Sequence, residues 1–419
     1  MAAAGTTQTR SPSRIQEGND MVKERSNGQA QWSAFINTLA AGGAEVYRNS
    51  SPERSAQEQS QITQAMIWAL IAELQTLVSM DRDHPYWVTL LNPKMRRFAS
   101  NADNTYEVAY IRGRGTYRIF GRRGTTRMMY LQVGVGTLGV GDLKRHEMSG
   151  NLNVDDCEIA EDGTFEVILS PKRPEGYTGA WMQLDPTRDD SFVWVRHVSY
   201  DWLNEVEGQL SIMRIDQPIA KQDQSANDYE ARLVFTAESV RDDILAMLQV
   251  MNEQIEGVEV NRLTDVSATF GSAGIAGQAY NHSVLQLADD EAWVAEFALP
   301  EGCTYWGVQL MDYAYSQLDS MYAQTSLNGH MAVADPDGVF RIVVSATDTG
   351  AANWLDTLGL DRVQIRFRWF APSAPVIKSK VVPWDKLEQT LPSDTARVTS
   401  EQRQEALRKR VIGQQWNRR

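Results

Sequence analysis

A chain of 419 residues exceeds the size at which one hydrophobic core stops growing, so two or three compact units are expected. Hydrophobic content of 42%, charged content of 23%, twelve Trp and fourteen Tyr exclude bulk disorder. A formal net charge of −13 opposes attraction to phosphate backbones and anionic membranes, so neither nucleic acid nor a membrane is expected as a partner.

The first 28 residues lack the apolar run of a signal peptide and read as a disordered N-terminus. No later stretch approaches the roughly eighteen apolar residues of a membrane span. Cys157 and Cys303 have no nearby Cys or His companion, which leaves neither a disulfide framework nor a thiolate zinc site. A reducing, cytoplasmic location is expected.

Residues 29–100 read as a helical segment. Trp32, Phe35, Ile36 and Leu39 recur at helical spacing, and Gly42-Gly43 is expected to end that helix. Ser51-Pro52-Glu53 is the start signal of a second, with Ile62, Met66, Ala69, Leu70, Leu74, Leu77 and Val78 as its apolar stripe. After Pro93 the period changes to two, and residues 101–216 read as a first β-sandwich domain. Residues 217–262 read as a helical linker capped by Thr236, with Val240, Ile244, Met247, Leu248 and Met251 buried and Gly257 at the end. A second β-sandwich domain is expected over 263–375.

An internal echo ties the halves together. Asp162-Gly163-Thr164-Phe165-Glu166-Val167 parallels Asp337-Gly338-Val339-Phe340-Arg341-Ile342, each a turn signal opening a strand. Trp181 parallels Trp354, and Val193-Trp194-Val195-Arg196-His197 parallels Val363-Gln364-Ile365-Arg366-Phe367. Gly115-Thr116-Tyr117 is matched with Cys303-Thr304-Tyr305. The fold class is therefore mainly β (α+β): two tandem related antiparallel sandwich or jelly-roll-like domains with an N-terminal helical segment and a helical linker. Residues 376–419 read as an extended arm with a short helix from Thr399 or Ser400 to about Ile412. From Arg397 onward the arm carries seven basic residues and two acids, and can lie on an acidic face of its own chain or of a neighbour. A homo-oligomer is expected.

Tyr305-Trp306-Gly307-Val308-Gln309, Asp335-Pro336-Asp337-Gly338, Asn353-Trp354-Leu355 and Arg366-Phe367-Arg368-Trp369 together resemble the bacterial family known as domain of unknown function 1214, often found with a partner domain numbered 1254. Asn101 to Tyr106, Tyr117-Arg118-Ile119 and Gly121 to Gly124 look like the upstream part of relatives without a secretion signal, so the resemblance spans about Trp32 to Pro372. It implies adjacent β-sandwiches and carries no catalytic residues.

Chemistry must then be sought in the residues. Gly134, Gly136 and Gly139 satisfy GxGxxG, yet a strand rather than a helix is expected next, so no phosphate loop is read. The five histidines stand at 84, 146, 197, 282 and 330 without ligand spacing; neither metal nor cofactor is expected. His197 alternates with Val193 and Val195 and should point inward, as a buried structural histidine or an acid/base group. Arg112, Arg118, Arg122 and Arg123 lie close in sequence to Tyr106, Tyr110, Tyr117 and Asp103, a set able to hold an anion or to pair with surface acids. Tyr305, Trp306, Gln309, Tyr313, Asn353 and Trp354 can line a pocket or fill a core.

The working expectation is a cofactor-independent lyase- or hydrolase-type enzyme for an apolar or aromatic metabolite bound between the domains. His197 and Asp103 would move protons, and Arg118, Arg122, Tyr106, Tyr117, Tyr305, Trp306 and Asn353 would hold substrate. The alternative is a non-catalytic ligand-binding or scaffold protein.

Overall fold

The computed structural model describes residues 13–50, 54–79, 81–136, 147–221, 227–256, 258–266, 274–373 and 375–417. Three helices, α1 (Ser13–Asn49), α2 (Ala56–Ser79) and α3 (Asn227–Glu256), pack with α3 touching both others. α1 begins inside the stretch expected to be disordered and runs straight through Gly42 and Gly43. The glycines serve packing: a Cβ at Gly42 would meet Arg241 Cβ of α3 at 2.9 Å, and one at Gly43 would meet Met66 Cε of α2 at 3.1 Å. The buried side of α1 is therefore Phe35 and Val46, whereas Trp32 and Ile36 are exposed.

The start signal expected at Ser51-Pro52-Glu53 lies outside the described residues. α2 is instead opened by Ser55 and Glu58, whose side chains accept reciprocally from each other's backbone N–H at 3.1 and 3.0 Å. Leu74, assigned to its buried stripe, is exposed. Thr236 lies within α3 rather than at its start, its hydroxyl donating to Arg232 O at 2.9 Å. Val240, Ile244, Met247 and Leu248 are buried as expected; Gly257 and the Met251 side chain are outside the described residues.

Two β-units follow the same plan. The first contains β1 (Val88–Leu91), β2 (Asn104–Ile111), β3 (Tyr117–Arg122), β4 (Met128–Val135), β5 (Glu147–Asn153), β6 (Thr164–Ser170), β7 (Ala180–Gln183), β8 (Ser191–Val198) and β9 (Gln209–Arg214). The second contains β10 (Ala279–Gln286), β11 (Glu291–Ala298), β12 (Tyr305–Met311), β13 (Ser326–Asn328), β14 (Val339–Ser345), β15 (Trp354–Asp356), β16 (Arg362–Phe370) and β17 (Lys378–Pro383). Sheet A has the order β1-β2-β8-β4-β5, and sheet B β7-β6-β3-β9. Sheet C, β10-β16-β12-β13, and sheet D, β15-β14-β11-β17, repeat those orders with each strand number raised by eight, except that the edge strand β1 of sheet A has no counterpart in sheet C.

The duplication extends to detail. β6 pairs in parallel with β7, and β14 with β15. Gly163 and Gly338 both adopt positive φ, at 80° and 79°, as the Asp-Gly turns require. Trp181 Nε1 donates to Ser170 Oγ at 2.8 Å, and Trp354 Nε1 to Ser345 Oγ at 3.0 Å. One proposed match fails: Tyr117 opens β3, whose counterpart is β11, whereas Tyr305 opens β12.

Within each unit, strand alternation fills one core. Phe165, Val167 and Leu169 join Ile119, Leu131, Val193 and Val195 in the first. Ile342 and Val344 join Trp293, Trp306, Phe367 and Trp369 in the second, with Phe340 packed against them. Burying one such side chain stabilises by roughly 1.5–3 kcal/mol.

The C-terminal arm belongs to the body of the molecule. β17 extends sheet D beside β11, and α4 (Trp384–Thr390) follows it. α5 (Ser400–Asn417) starts at a reciprocal Thr399/Gln402 cap and runs five residues past the expected Ile412. Gly413 permits this, since a Cβ there would meet Trp202 O of the first unit at 2.5 Å. Arg403 binds Asp348, Arg410 binds Ser320 O and Ser326 Oγ, and Arg397 binds Glu388, so these basic residues are used within the chain. No helix among the described residues is long and apolar enough to cross a membrane.

Candidate functional site

The outer faces of sheets A and C meet, and the segment 97–104 is wedged where they join the helices. Tyr130 of β4 stacks on Phe370 of β16 at 6.0 Å, and Gln132 Nε2 donates to Gly274 O at 3.1 Å. Phe98 and Ala99 adopt positive φ, 53° and 47°. Such backbone is strained for residues with a side chain, and here it is held by contacts with the second unit. Ala99 N donates to Tyr315 O at 2.7 Å, while Ala99 O accepts from Arg368. Ala102 N donates to Gln309 Oε1 at 3.0 Å, and Gln309 Nε2 returns to Ser100 O at 2.7 Å.

Asp103 is the hub of this junction. Its Oδ1 accepts from Trp202 Nε1 at 2.9 Å and Asn328 Nδ2 at 2.7 Å; its Oδ2 accepts from the Tyr305 hydroxyl at 2.7 Å. Asn101 Nδ2 donates to the same hydroxyl at 2.7 Å. Burial first, and then the Asp103 carboxylate, push the Tyr305 phenol well above its ordinary range, so it stays protonated. Tyr106 accepts at its hydroxyl from Asn101 N and Asn104 Nδ2, at 3.0 and 3.2 Å.

Of the residues selected from sequence, Asp103, Tyr106 and Tyr305 are thus brought together. The others are not. His197 does point inward, but into the first sandwich, where its Nε2 lies 3.1 Å from Glu107 Oε2. Arg118 pairs with Glu166 and, with Arg122, belongs to sheet B. Arg112 forms two bonds to Asp83 at 2.9 and 3.0 Å, and Arg123 two to Asp155 at 2.7 and 3.1 Å. The expected Arg/Tyr/Asp group does not form because β2 and β3, consecutive in sequence, belong to different sheets. A Cβ at Gly113, in the turn between them, would lie 1.8 Å from Asp185 O.

Tyr117 is a core residue whose hydroxyl donates to Arg82 O at 2.8 Å and accepts from Arg112 N at 2.9 Å. Trp306 is in the second core, and Asn353 ties its side chain to Val333 N and O at 2.9 and 2.7 Å. Gly134 sits within β4 and Gly136 just after it, while residues 137–146, Gly139 and His146 among them, lie outside the described residues. No group of three or more His, Cys, Asp or Glu side chains placed to hold a metal ion is found among the described residues.

The sequence reading missed the arginines of the seam: Arg196 of β8 and Arg366 and Arg368 of β16, all buried. A signal existed. In Arg366-Phe367-Arg368-Trp369 the aromatics fill the second core, so period-two alternation sends both arginines to the other face, and the echo had already paired Arg196 with Arg366. The Arg196 guanidinium lies 4.6 Å from the Trp194 ring and 5.4 Å from that of Tyr106. Burial lowers the pKa of both Arg196 and Arg366 from the usual guanidinium range. His282, opposite Arg366 on β10, is pushed down to about 4 by burial and by that arginine. Gln132 Oε1 and Trp194 Nε1 are buried there without hydrogen-bond partners among the described residues.

A second buried polar group lies under the helices. Arg97 forms an ion pair with Asp243 of α3, and Glu73 of α2 lies beside them. Burial, and then repulsion from Asp243, raise Glu73 to about 8; burial raises Asp243 to about 6 despite Arg97. Asp312, in the loop after β12, is raised to about 7 by burial.

Residues 286–374, the body of the second β-unit, match the family model described as "Protein of unknown function (DUF1214)". This is the resemblance read from the sequence. Over the whole fold, the chain is similar to a putative uncharacterized protein from Burkholderia cenocepacia, with 27% identity and a TM-score of 0.76, covering 85% of this chain and 98% of that one. A protein from Vibrio parahaemolyticus matches at 10% identity and a TM-score of 0.43, over 75% of this chain and all of that one, too distant for any argument. No curated protein matches the chain. The DUF1214 segment supplies sheets C and D apart from β17 and most of β10, so one wall of the seam comes largely from it and the other from the preceding unit.

Proposed function

We propose that the chain binds a small molecule in the seam between sheets A and C, and that binding rather than catalysis by the expected pair is its activity. The observation that carries this reading is the buried polar lining. Two sheet faces packed for stability alone would be apolar, yet here Gln132, Trp194, Arg196, Gln309, Arg366 and Arg368 are turned into the seam or its margin. An unsatisfied buried polar atom costs about 1–3 kcal/mol, which a ligand offering hydrogen bonds at Gln132 Oε1 and Trp194 Nε1 would relieve.

Geometry disfavours the expected acid/base pair. Both Asp103 oxygens accept bonds that hold the two units together, and His197 faces Glu107 on the other side of sheet A. The homo-oligomer loses one motive, since arginines of the tail bind within their own chain. A cytoplasmic location accords with the two cysteines, which are half-buried and not joined in a disulfide. Native mass spectrometry of freshly purified full-length chain tests the reading. A bound metabolite, lost in a Trp194→Ala variant that keeps its circular-dichroism spectrum, is expected; an empty seam that takes up nothing from a metabolite extract would overturn it.

A further inference from the structure

The layer of helices carries an apolar face that its own chain leaves in water. α1 and α2 meet near the bend that joins them: the Tyr47 and Thr63 hydroxyls bond to each other, and a Cβ on Gly43 would lie 3.1 Å from Met66 Cε. Beyond that point, among the described residues, both helices pack on α3 rather than on each other. The sides that met at the bend then run on uncovered. On α1, Tyr47, Gly43, Ile36 and Trp32 follow at steps of four, seven and four, which makes one stripe; on α2, Thr63, Ile67, Ile71 and Leu74 follow at four, four and three. Trp32 is 57% exposed, Ile36 45%, Ile67 54%, Ile71 41% and Leu74 36%. α3 runs in the direction of α1, with Arg241 beside Gly42 and Asn252 bonded to Arg54, so the exposed Phe235 falls at the same end of the layer as Ile36.

Charge indicates what covers this face. Asn27 to Ala44 of α1 and Gln59 to Ala72 of α2 contain no charged residue, and the Glu73 that follows is buried. Copies of a chain of net charge −13 repel one another over most of their surface, and these two walls let them approach without that penalty. A two-fold axis sets the same patch on both sides of a contact, so an apolar, uncharged patch is its own complement, whereas a charged partner would lose water there and gain no counter-charge. The six exposed side chains present on the order of 450 Å² of apolar surface, a size that on a monomer is commonly functional. That is about half of the roughly 800 Å² each partner contributes to a stable dimer, and uncharged neighbours such as Asn37 and Gln64, also exposed, extend it.

We propose that the outward stripes of α1 and α2 are the contact through which two copies of this chain pair about a two-fold axis. The contact uses the helical layer alone and is independent of the seam.

Sedimentation velocity of the full chain, over a series from about 1 to 100 μM, tests this, and a monomer–dimer equilibrium is expected. Trp32→Glu and Ile71→Glu each place a carboxylate against an apolar surface in both copies, and should raise the dissociation constant by about a hundredfold or more with an unchanged circular-dichroism spectrum. Val376→Glu, at a still more exposed apolar residue of the C-terminal arm, should leave the dimer intact. Hydrogen exchange of the unaltered chain keeps the test decisive if a variant fails to fold: the backbone amides of 32–40 and 64–74 should exchange more slowly as concentration rises. A monomer throughout the series would overturn the second copy as the occupant of this face. A dimer that survives both substitutions, or whose added protection lies elsewhere, would overturn the stripes as its contact.

Discussion

Replacing Glu73 by Gln should flatten the alkaline decline in stability of this protein. Glu73 is 3% exposed on α2, beside Asp243 of α3 and Arg97 ahead of β2, with Tyr110 of β2 also facing it. Its carboxyl is raised from 4.5 to about 8, chiefly by burial. Between those values the folded chain keeps a proton that the unfolded chain has lost, so stability falls as pH rises through the window and the loss is complete above about pH 8. The slope is about 1.4 kcal/mol per pH unit, which gives a loss on the order of 5 kcal/mol across the window as an upper bound. Gln is of similar size and stays neutral; it removes this slope and also relieves Asp243 of a like charge. Urea unfolding at pH 5.5, 7 and 8.5 measures it. The wild type should lose stability steadily, while the variant should lose less than half as much. An unchanged slope in Glu73→Gln would refute the assignment of a buried, protonated carboxyl at this position.

Asp103→Asn replaces a carboxylate whose two oxygens accept from three donors with an amide that can satisfy only some of them, and should cost about 2–5 kcal/mol in chemical denaturation, with a negligible loss contradicting its place as the inter-unit hub. Gly42→Leu should destabilise by about 1–3 kcal/mol, although leucine is the better helix former, because its Cβ meets Arg241; a more stable variant would deny the close approach of α1 and α3. Trp181→Phe and Trp354→Phe each remove the indole N–H that donates to the equivalent serine hydroxyl, shared in Trp354 with Ser345 O, at a cost of about 1 kcal/mol apiece, and the double variant should show the sum; strong coupling would mean the two sandwiches are not separate cores.

Much of the molecule was legible before its coordinates. The Asp-Gly turns, the inward triplet Phe165, Val167 and Leu169, and the tryptophans that follow them are local signals, and each occupies the same place in its unit. The glycine pair in α1 misled because its meaning is not local: Gly42 and Gly43 answer to Arg241 and Met66, one of them almost two hundred residues away. The expected Arg118/Arg122 group failed for a similar reason. Proximity in sequence suggested proximity in space, yet the chain crosses from sheet A to sheet B between β2 and β3.

Alternation and turn chemistry, which depend on a few neighbouring bonds, let the sequence determine that the chain folds as two related sandwiches and that Arg366 and Arg368 turn away from their own core. The meeting of those arginines with Arg196 was decided by tertiary structure alone. Which face of one sandwich abuts which face of the other depends on the wedge at 97–104, the roof of helices and the returning arm, contacts spread over some three hundred residues that leave no period in the sequence.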